Sequence, residues 1–415
     1  MLFLVAVGIS AEKYRILIST DIGGTDPDDN QSMMHYLLFS NEFDCEGLVS
    51  SPSYGDGNKS EILRMIDLYE KDLPVLKKHA KGWPKPKYLR SITKQGRHGA
   101  APWCGYSEPS EGSEWIVRFG KKKSDRPLYV LVWGGLDDVA QALHDAPEIS
   151  HNVRIYWIGG PNKKWSLNSY SYIVENFPDL WFIECNESYR GFIAQYKNPD
   201  KYHGGFYEHC VKGAGNLGAD FYNYKQGLPK LGDTPSLLYM MNGDPTDPTG
   251  ESWGGCFERC WYSSRAVFNR LTTMQDTIQR DGVIELTFKG AEVASAGGAA
   301  PLKILVDKQE WDGCYKGDGV YVVRYCTYKS GVVNYTIKWD KSFGRADETG
   351  CFVVENVFPG RHRATDYTVG DQWFTDKSDP SLYSETGHCQ GAKTVEKWRN
   401  DVMQLWAERL NWLKK

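Results

Sequence analysis

Thr20-Asp21-Ile22-Gly23-Gly24-Thr25-Asp26-Pro27-Asp28-Asp29 places four carboxylates within nine residues. An apolar run, Ile16-Leu17-Ile18, precedes it and reads as a buried strand. After it, Met33, Met34, Leu37 and Leu38 recur at helical spacing and give one apolar face. The acids therefore sit on a strand-to-helix turn, with Gly23 and Gly24 supplying backbone freedom. In open α/β sheets such turns at the carboxyl ends of strands are where ligands bind. Four acids this close repel, and a helix amino terminus contributes only about half a positive charge. A hard divalent cation of the Ca²⁺ type, which takes several carboxylate and carbonyl oxygens, would balance them. The alternative is a solvated acidic turn with Asp28 as helix N-cap. The buried strand in front and the paired glycines favour the cation.

The chain has 415 residues, 41% of them hydrophobic, enough for one large domain with an addition or for two domains. A net charge of −4 and a longest basic run of Lys121-Lys122-Lys123 give no reason to expect a nucleic acid polymer as partner. The 15 Trp and 25 Tyr suit sugar-stacking surfaces or a Trp-rich core. Residues 1–11, Met1 to Ala11, have the apolar centre and small-residue end of a secretory signal peptide but lack its basic start. The expectation is a secreted chain with no membrane span. Ten Cys without a CxxC pair fit either a few disulfides, Cys256 with Cys260 among the options, or reduced core thiols.

Further along, units of strand, turn and helix repeat. Phe43 to Ser50 reads as a strand, Ser51 to Lys59 as a loop containing Gly57-Asn58, and Ser60 to Glu70 as a helix that Asn58 or Ser60 caps. Residues 80–112 read as one long loop holding His98-Gly99. Leu128 to Trp133 is a buried strand entering Gly134-Gly135-Leu136-Asp137-Asp138, where Asp137 can cap the following helix. Val153 to Ile158 and Leu180 to Cys185 are further strands, flanking a helix from Tyr170 to Phe177 that carries Glu175-Asn176. Gly232-Asp233-Thr234-Pro235 opens another helix, and Trp253-Gly254-Gly255 follows. This alternation predicts a mostly parallel sheet, Rossmann-like, with helices on both faces. From 281 the pattern becomes alternating and β-branched, as in Val332-Val333-Asn334-Tyr335-Thr336-Ile337. The expected organisation is an α/β domain over 12–280, an antiparallel β addition over 281–362, and a segment over 363–415. The last ends in a helix (Val395 to Leu413) that returns to the core.

The acidic turn resembles the amino-terminal motif of nucleoside hydrolases, and more closely that of the nucleoside hydrolase-like group of the DUF1593 and Sde182 type, some of whose members are labelled cellulose-binding. The resemblance runs over about residues 14–262, through landmarks in a fixed order. It implies that Asp21, Asp29, the main-chain carbonyl of Asp137 and Asp233 hold Ca²⁺. It implies further that Asp21 takes a proton from a metal-bound water and that Asp28 accepts a sugar hydroxyl. Gly57-Asn58 and His98-Gly99 match the family's sugar and pocket contacts in position, and Glu175 with Asn176 (or Asn168) would hold sugar hydroxyls. Two departures stand out. Asp21 is seven residues before Asp28 where most of the family has four, which brings in Asp26 as a further candidate for contact with substrate. Gly232 also replaces a family His. The implied activity is hydrolysis of an N- or O-glycosidic bond to a furanose-like sugar, with a small molecule or oligosaccharide as partner and homodimerisation left open. The alternative is a secreted carbohydrate-binding protein whose calcium site is not catalytic. A zinc site from His203, His209 and Cys210 lacks ligand spacing on a helix.

Overall fold

The computed structural model describes residues 12–24, 26, 28–193, 205–292 and 300–414. The segment 1–11 and His203 lie outside the described residues. Strands β1 (Arg15–Thr20), β2 (Asp44–Ser50), β3 (Thr93–Gln95), β4 (Leu128–Val132), β5 (Val153–Ile158) and β6 (Trp181–Cys185) form a parallel sheet in the order β3-β2-β1-β4-β5-β6. Two short strands complete it: Trp373–Asp376, parallel to β6, and β7 (Phe257–Arg259), antiparallel at the edge. The strand from the carboxyl-terminal segment was not legible in sequence, because Trp373-Phe374-Thr375-Asp376 is too short to show a period.

Both faces of the sheet are covered, and each covers one apolar cluster. The helices are α1 (Asp28–Phe39), α2 (Lys59–His79), α3 (Pro86–Ser91), α4 (Glu111–Gly120), α5 (Asp137–Asp145), α6 (Pro161–Trp165), α7 (Leu167–Asn176), α8 (Gly215–Phe221) and α9 (Thr234–Tyr239). Residues 80–112 are thus less irregular than expected, since α3 and β3 fall inside them. All twelve residues of α1 are buried, not one face alone. Helices α2, α8 and α9 and the terminal helix Arg399–Asn411 surround it. The terminal helix docks through Trp406, whose ring lies 4.9 Å from His35 and 5.1 Å from Phe206. Its Arg409 donates to Asn41 Oδ1 at 2.7 Å.

Strand order reverses between β1 and β4. From β1 the chain runs outward through β2 to β3, then returns to the other side of β1. A crevice forms where the order reverses, at the carboxyl ends of the strands. Asp21 stands at the end of β1 and Gly134 follows β4, and a Cβ on Gly134 would lie 2.8 Å from the Asp21 Cβ. A larger residue at 134 would push the carboxylate away.

The second lobe is a β-sandwich of a five-stranded and a four-stranded sheet with its own apolar core, centred on Leu286, Ile304, Tyr321, Ile337 and Phe352. It begins with Arg265–Phe268 and Thr277–Gln279, ahead of the expected boundary at 281. Each of these strands joins a sheet as a parallel neighbour, so the lobe is not purely antiparallel. None of the ten cysteines is paired in a disulfide. Cys256 and Cys260 are turned to separate carbonyls, of Thr249 and Tyr262. Among the described residues no helix is long and apolar enough to cross a membrane.

Candidate metal centre and active site

Asp28, Asp29 and Asp233 are all buried and offer carboxylate oxygens within 4.8 Å of one another. Asp28 and Asp29 come from the first turn of α1, and Asp233 stands just before α9. Asp21 stands beside them at the end of β1, outside the three-carboxylate group but close enough to feel the charge of Asp28. Residues far apart in the chain thus meet at the strand-order reversal.

The partners within this cluster are few. Thr20 Oγ1 donates to Asp29 Oδ1 and accepts from Ile22 N at 3.1 Å. Lys230 reaches Asp28 Oδ2 at 3.0 Å and also pairs with Asp26, which is exposed at the rim. Gln31 fixes the backbone of Lys230 by accepting from its amide at 2.7 Å. Among the described residues Lys230 is the cation paired with these five carboxylates, which leaves the described cluster electrostatically unbalanced. Among the described residues the Oδ2 of Asp233 has no hydrogen-bond partner despite its burial. Burial, reinforced by the Asp28 charge, pushes the Asp21 carboxyl up to about 7. Asp29 is raised well above the ordinary range by burial and by the charges of Asp21, Asp233 and Asp28. Asp233 is raised likewise by burial and by Asp28 and Asp21. In Asp28 burial also raises the pKa, with Lys230 opposing.

The donor set fits a hard cation: all oxygen, anionic, buried, and with one oxygen unpartnered. The glycine in place of the family histidine has a local reason. A Cβ at Gly232 would lie 2.2 Å from Asp28 Oδ2, so a side chain here would displace a carboxylate of the cluster.

The remaining predicted residues are placed differently. Asp137 is buried, and its carboxylate accepts from Ala101 N and Ser166 Oγ, each at 2.7 Å, and from Ser169 Oγ at 3.1 Å. It anchors the long loop to α7, leaving its main-chain carbonyl as the group the resemblance assigns to the metal. Asn58 borders the acidic turn through its amide, which donates to Ile22 O at 2.8 Å, while its side chain caps α2 by accepting from Ser60 N at 2.9 Å. His98 is exposed and faces Asp56 at 3.2 Å. Glu175 and Asn176 are exposed in the last turn of α7, and Asn176 Nδ2 donates back to Tyr172 O at 2.8 Å. A helix that follows a parallel strand runs back toward the amino ends of the sheet, which carries its last turn away from the acids. Asn168, at the start of α7, is on the near side and donates to Ala101 O at 3.1 Å. Trp253 is half-buried against the core. Thr20, Gly134 and Lys230 were not singled out in sequence. Only their adjacency to Asp21, to β4 and to Asp233 could have marked them.

A family profile described as the cellulose-binding Sde182, nucleoside hydrolase-like domain matches residues 15–257, more than half of the chain. The chain belongs to this family. Among solved structures, a nucleoside hydrolase-related hypothetical protein from Saccharophagus degradans, associated with carbohydrate metabolism, superposes with a TM-score of 0.51 at 20% identity. That match covers 83% of this chain and 100% of the other. An inosine-uridine preferring nucleoside hydrolase from Bacillus anthracis is more distant, with a TM-score of 0.38 and 12% identity over 61% of this chain and 86% of its own. No curated protein matches the sequence.

Proposed function

We propose that the acid cluster holds a Ca²⁺-class cation and that the protein hydrolyses a glycosidic bond to a furanose-like sugar. The carrying observation is that Asp28, Asp29 and Asp233 bury carboxylate oxygens within 4.8 Å of one another, and among the described residues Asp233 Oδ2 has no hydrogen-bond partner. A bound cation would polarise water and hold a sugar diol. Asp29 and Asp233 supply its anionic ligands, and Thr20 fixes the rotamer of Asp29. Asp21, at the open edge beside Gly134, takes the proton of the attacking water at its carboxylate. Asp28, steadied by Lys230, accepts a sugar hydroxyl. The packed carboxylates favour the positive charge that develops on the sugar ring as the bond breaks.

The test is release of reducing sugar from aryl furanosides and nucleosides, with and without added calcium. The parent should turn over at least one of them, and Asp29→Ala should lose the activity by about 10²-fold or more, the scale of removing a transition-state contact. Turnover that is indifferent to Asp29→Ala and to chelation would end the hydrolase reading.

A second reading, carbohydrate binding without turnover, is favoured by one observation. Glu175 and Asn176 are exposed in the last turn of α7, toward the far end of the sheet from the acids, so two of the expected sugar contacts do not converge there. The family description names cellulose binding. Saccharide binding by parent and Asp29→Ala alike, with hydrolysis by neither, selects this reading.

A further inference from the structure

A cavity of about 1140 Å³ opens between the loop around Arg97–Ser107, the α6–α7 corner and the sandwich. This exceeds the roughly 300–1,000 Å³ of ordinary small-molecule sites. We propose that this cleft binds a neutral oligosaccharide chain and leads it toward the acid cluster. The proposal deepens the reading above by naming a chain of sugars as the ligand, and the cleft's own part can be tested separately.

Three tryptophans line the cleft, Trp103 and Trp165 from the α/β lobe and Trp311 from the sandwich. Each is half-buried. Indoles in this state combine an apolar face with a wet edge, which matches the C–H face and hydroxyl rim of a sugar ring. The rings are also in line. Trp165 lies 5.2 Å from Trp311, stacked at 24°, and 4.6 Å from Tyr54. Tyr54 is 52% exposed on the loop after β2. That same loop ends at Asn58, whose amide donates to Ile22 in the acidic turn. The aromatic wall of the cleft therefore extends to the loop that borders the acidic turn.

The polar lining decides the ligand's charge. Lys303 faces Asp312 at 3.2 Å and Glu310 at 3.5 Å, and Lys338 donates to Glu310 at 3.0 Å. The guanidinium of Arg324 lies 3.8 Å from the Trp103 ring centroid and reaches Glu285 at 3.4 Å. These cations and carboxylates pair off, while Arg97 and Lys164 are turned to the neutral oxygens of Gly99, Ser107 and Gln309, so the lining has no strong field of one sign. Such a wall suits hydroxyls better than phosphates or an acidic polymer.

The experiment is calorimetric titration of the full chain with hexamers of β-1,4-glucose, β-1,4-xylose and α-1,5-arabinofuranose, with inosine alongside, in calcium and in chelator. At least one hexamer should bind the parent. Trp103→Ala should weaken it tenfold or more, and Glu310→Ala, at the rim, several-fold, with thermal unfolding unchanged for the latter. The cleft variants should weaken hexamer binding in calcium and in chelator alike. Three results overturn the proposal: no hexamer binds, inosine alone binds, or Glu310→Ala and a folded Trp103→Ala bind as the parent does. Hexamer binding abolished by Asp29→Asn but not by the cleft variants would also overturn it, while keeping the metal reading. Cleft-dependent binding without bond cleavage removes only the hydrolase reading.

Discussion

Glu184, near the end of β6, and Asp233, before α9, are both buried carboxylates of the α/β lobe, yet their surroundings differ. Glu184 receives Lys163 Nζ at 2.5 Å, Tyr170 Oη at 2.8 Å, Asn186 Nδ2 at 3.0 Å and Trp373 Nε1 at 3.2 Å. Its lone pairs are filled from within the chain, and its charge is balanced by an equally buried lysine. Asp233 keeps an oxygen without any partner and shares its neighbourhood with Asp21, Asp28 and Asp29. A closed charge cluster holds elements together. In an open one, the repulsion is tolerated because something from outside completes it.

The contrast breaks most visibly at Lys163. Lys163→Met leaves Glu184 buried and uncompensated, and the expected loss is about 3–5 kcal/mol of unfolding free energy, the usual result of removing one partner of a buried pair. Urea denaturation measures it. A midpoint equal to the parent's would mean that Glu184 is not held as an ion pair, and the distinction between the clusters would fail.

Asp233→Asn should act in the other direction. In chelator at pH 8 it removes a repelled carboxylate, so stability should rise, by about 1 kcal/mol on the scale of ordinary point substitutions. Calcium at about 100 times its Kd should add about 3 kcal/mol to the parent. It should add nothing to Asp233→Asn, and the full amount to a folded Lys163→Met. A calcium-induced rise in Tm that survives Asp233→Asn would place the metal elsewhere.

The acid cluster was legible because Asp21, Asp28 and Asp29 share one turn and Asp233 opens a helix after a glycine. Period and turn residues sufficed for the parallel sheet. The closed cluster was not legible. Lys163, Glu184 and Trp373 come from three separate elements, and nothing in local pattern says that a lysine in the middle of a short helix is fully buried. The cleft was hidden for a similar reason, since Trp165 and Trp311 meet only once the two lobes are in place. Glu175 and Asn176 misled because a pair of polar residues on a helix does not announce which end of the sheet it occupies.

The smallest effect concerns pH, where the open cluster competes with a third buried group. Asp21, raised to about 7 from 3.8, keeps a proton in the folded chain that the unfolded chain has released, so its contribution is present below pH 4 and is lost as pH rises through 7. His35 has the opposite sign. Both of its ring nitrogens lack partners, and burial, with Arg409 nearby, lowers its pKa from 6.5 to about 3. The folded chain refuses a proton that the unfolded chain takes, so stability falls as pH drops below 6.5. Between pH 8 and pH 5 the two trends oppose each other in the metal-free protein. Calcium, by requiring ionised carboxylates, should remove the first and leave the second, so the calcium-loaded parent loses stability on acidification. His35→Leu should reduce that loss by about 2 kcal/mol at pH 5 relative to pH 8, from the separation of pH 5 and 6.5 at about 1.4 kcal/mol per unit. Comparing the two pH values within each variant cancels the packing change of the substitution itself. If parent and His35→Leu in calcium have the same slope from pH 8 to 5, His35 is not the group that titrates on unfolding, and the acid sensitivity belongs to the carboxylates alone.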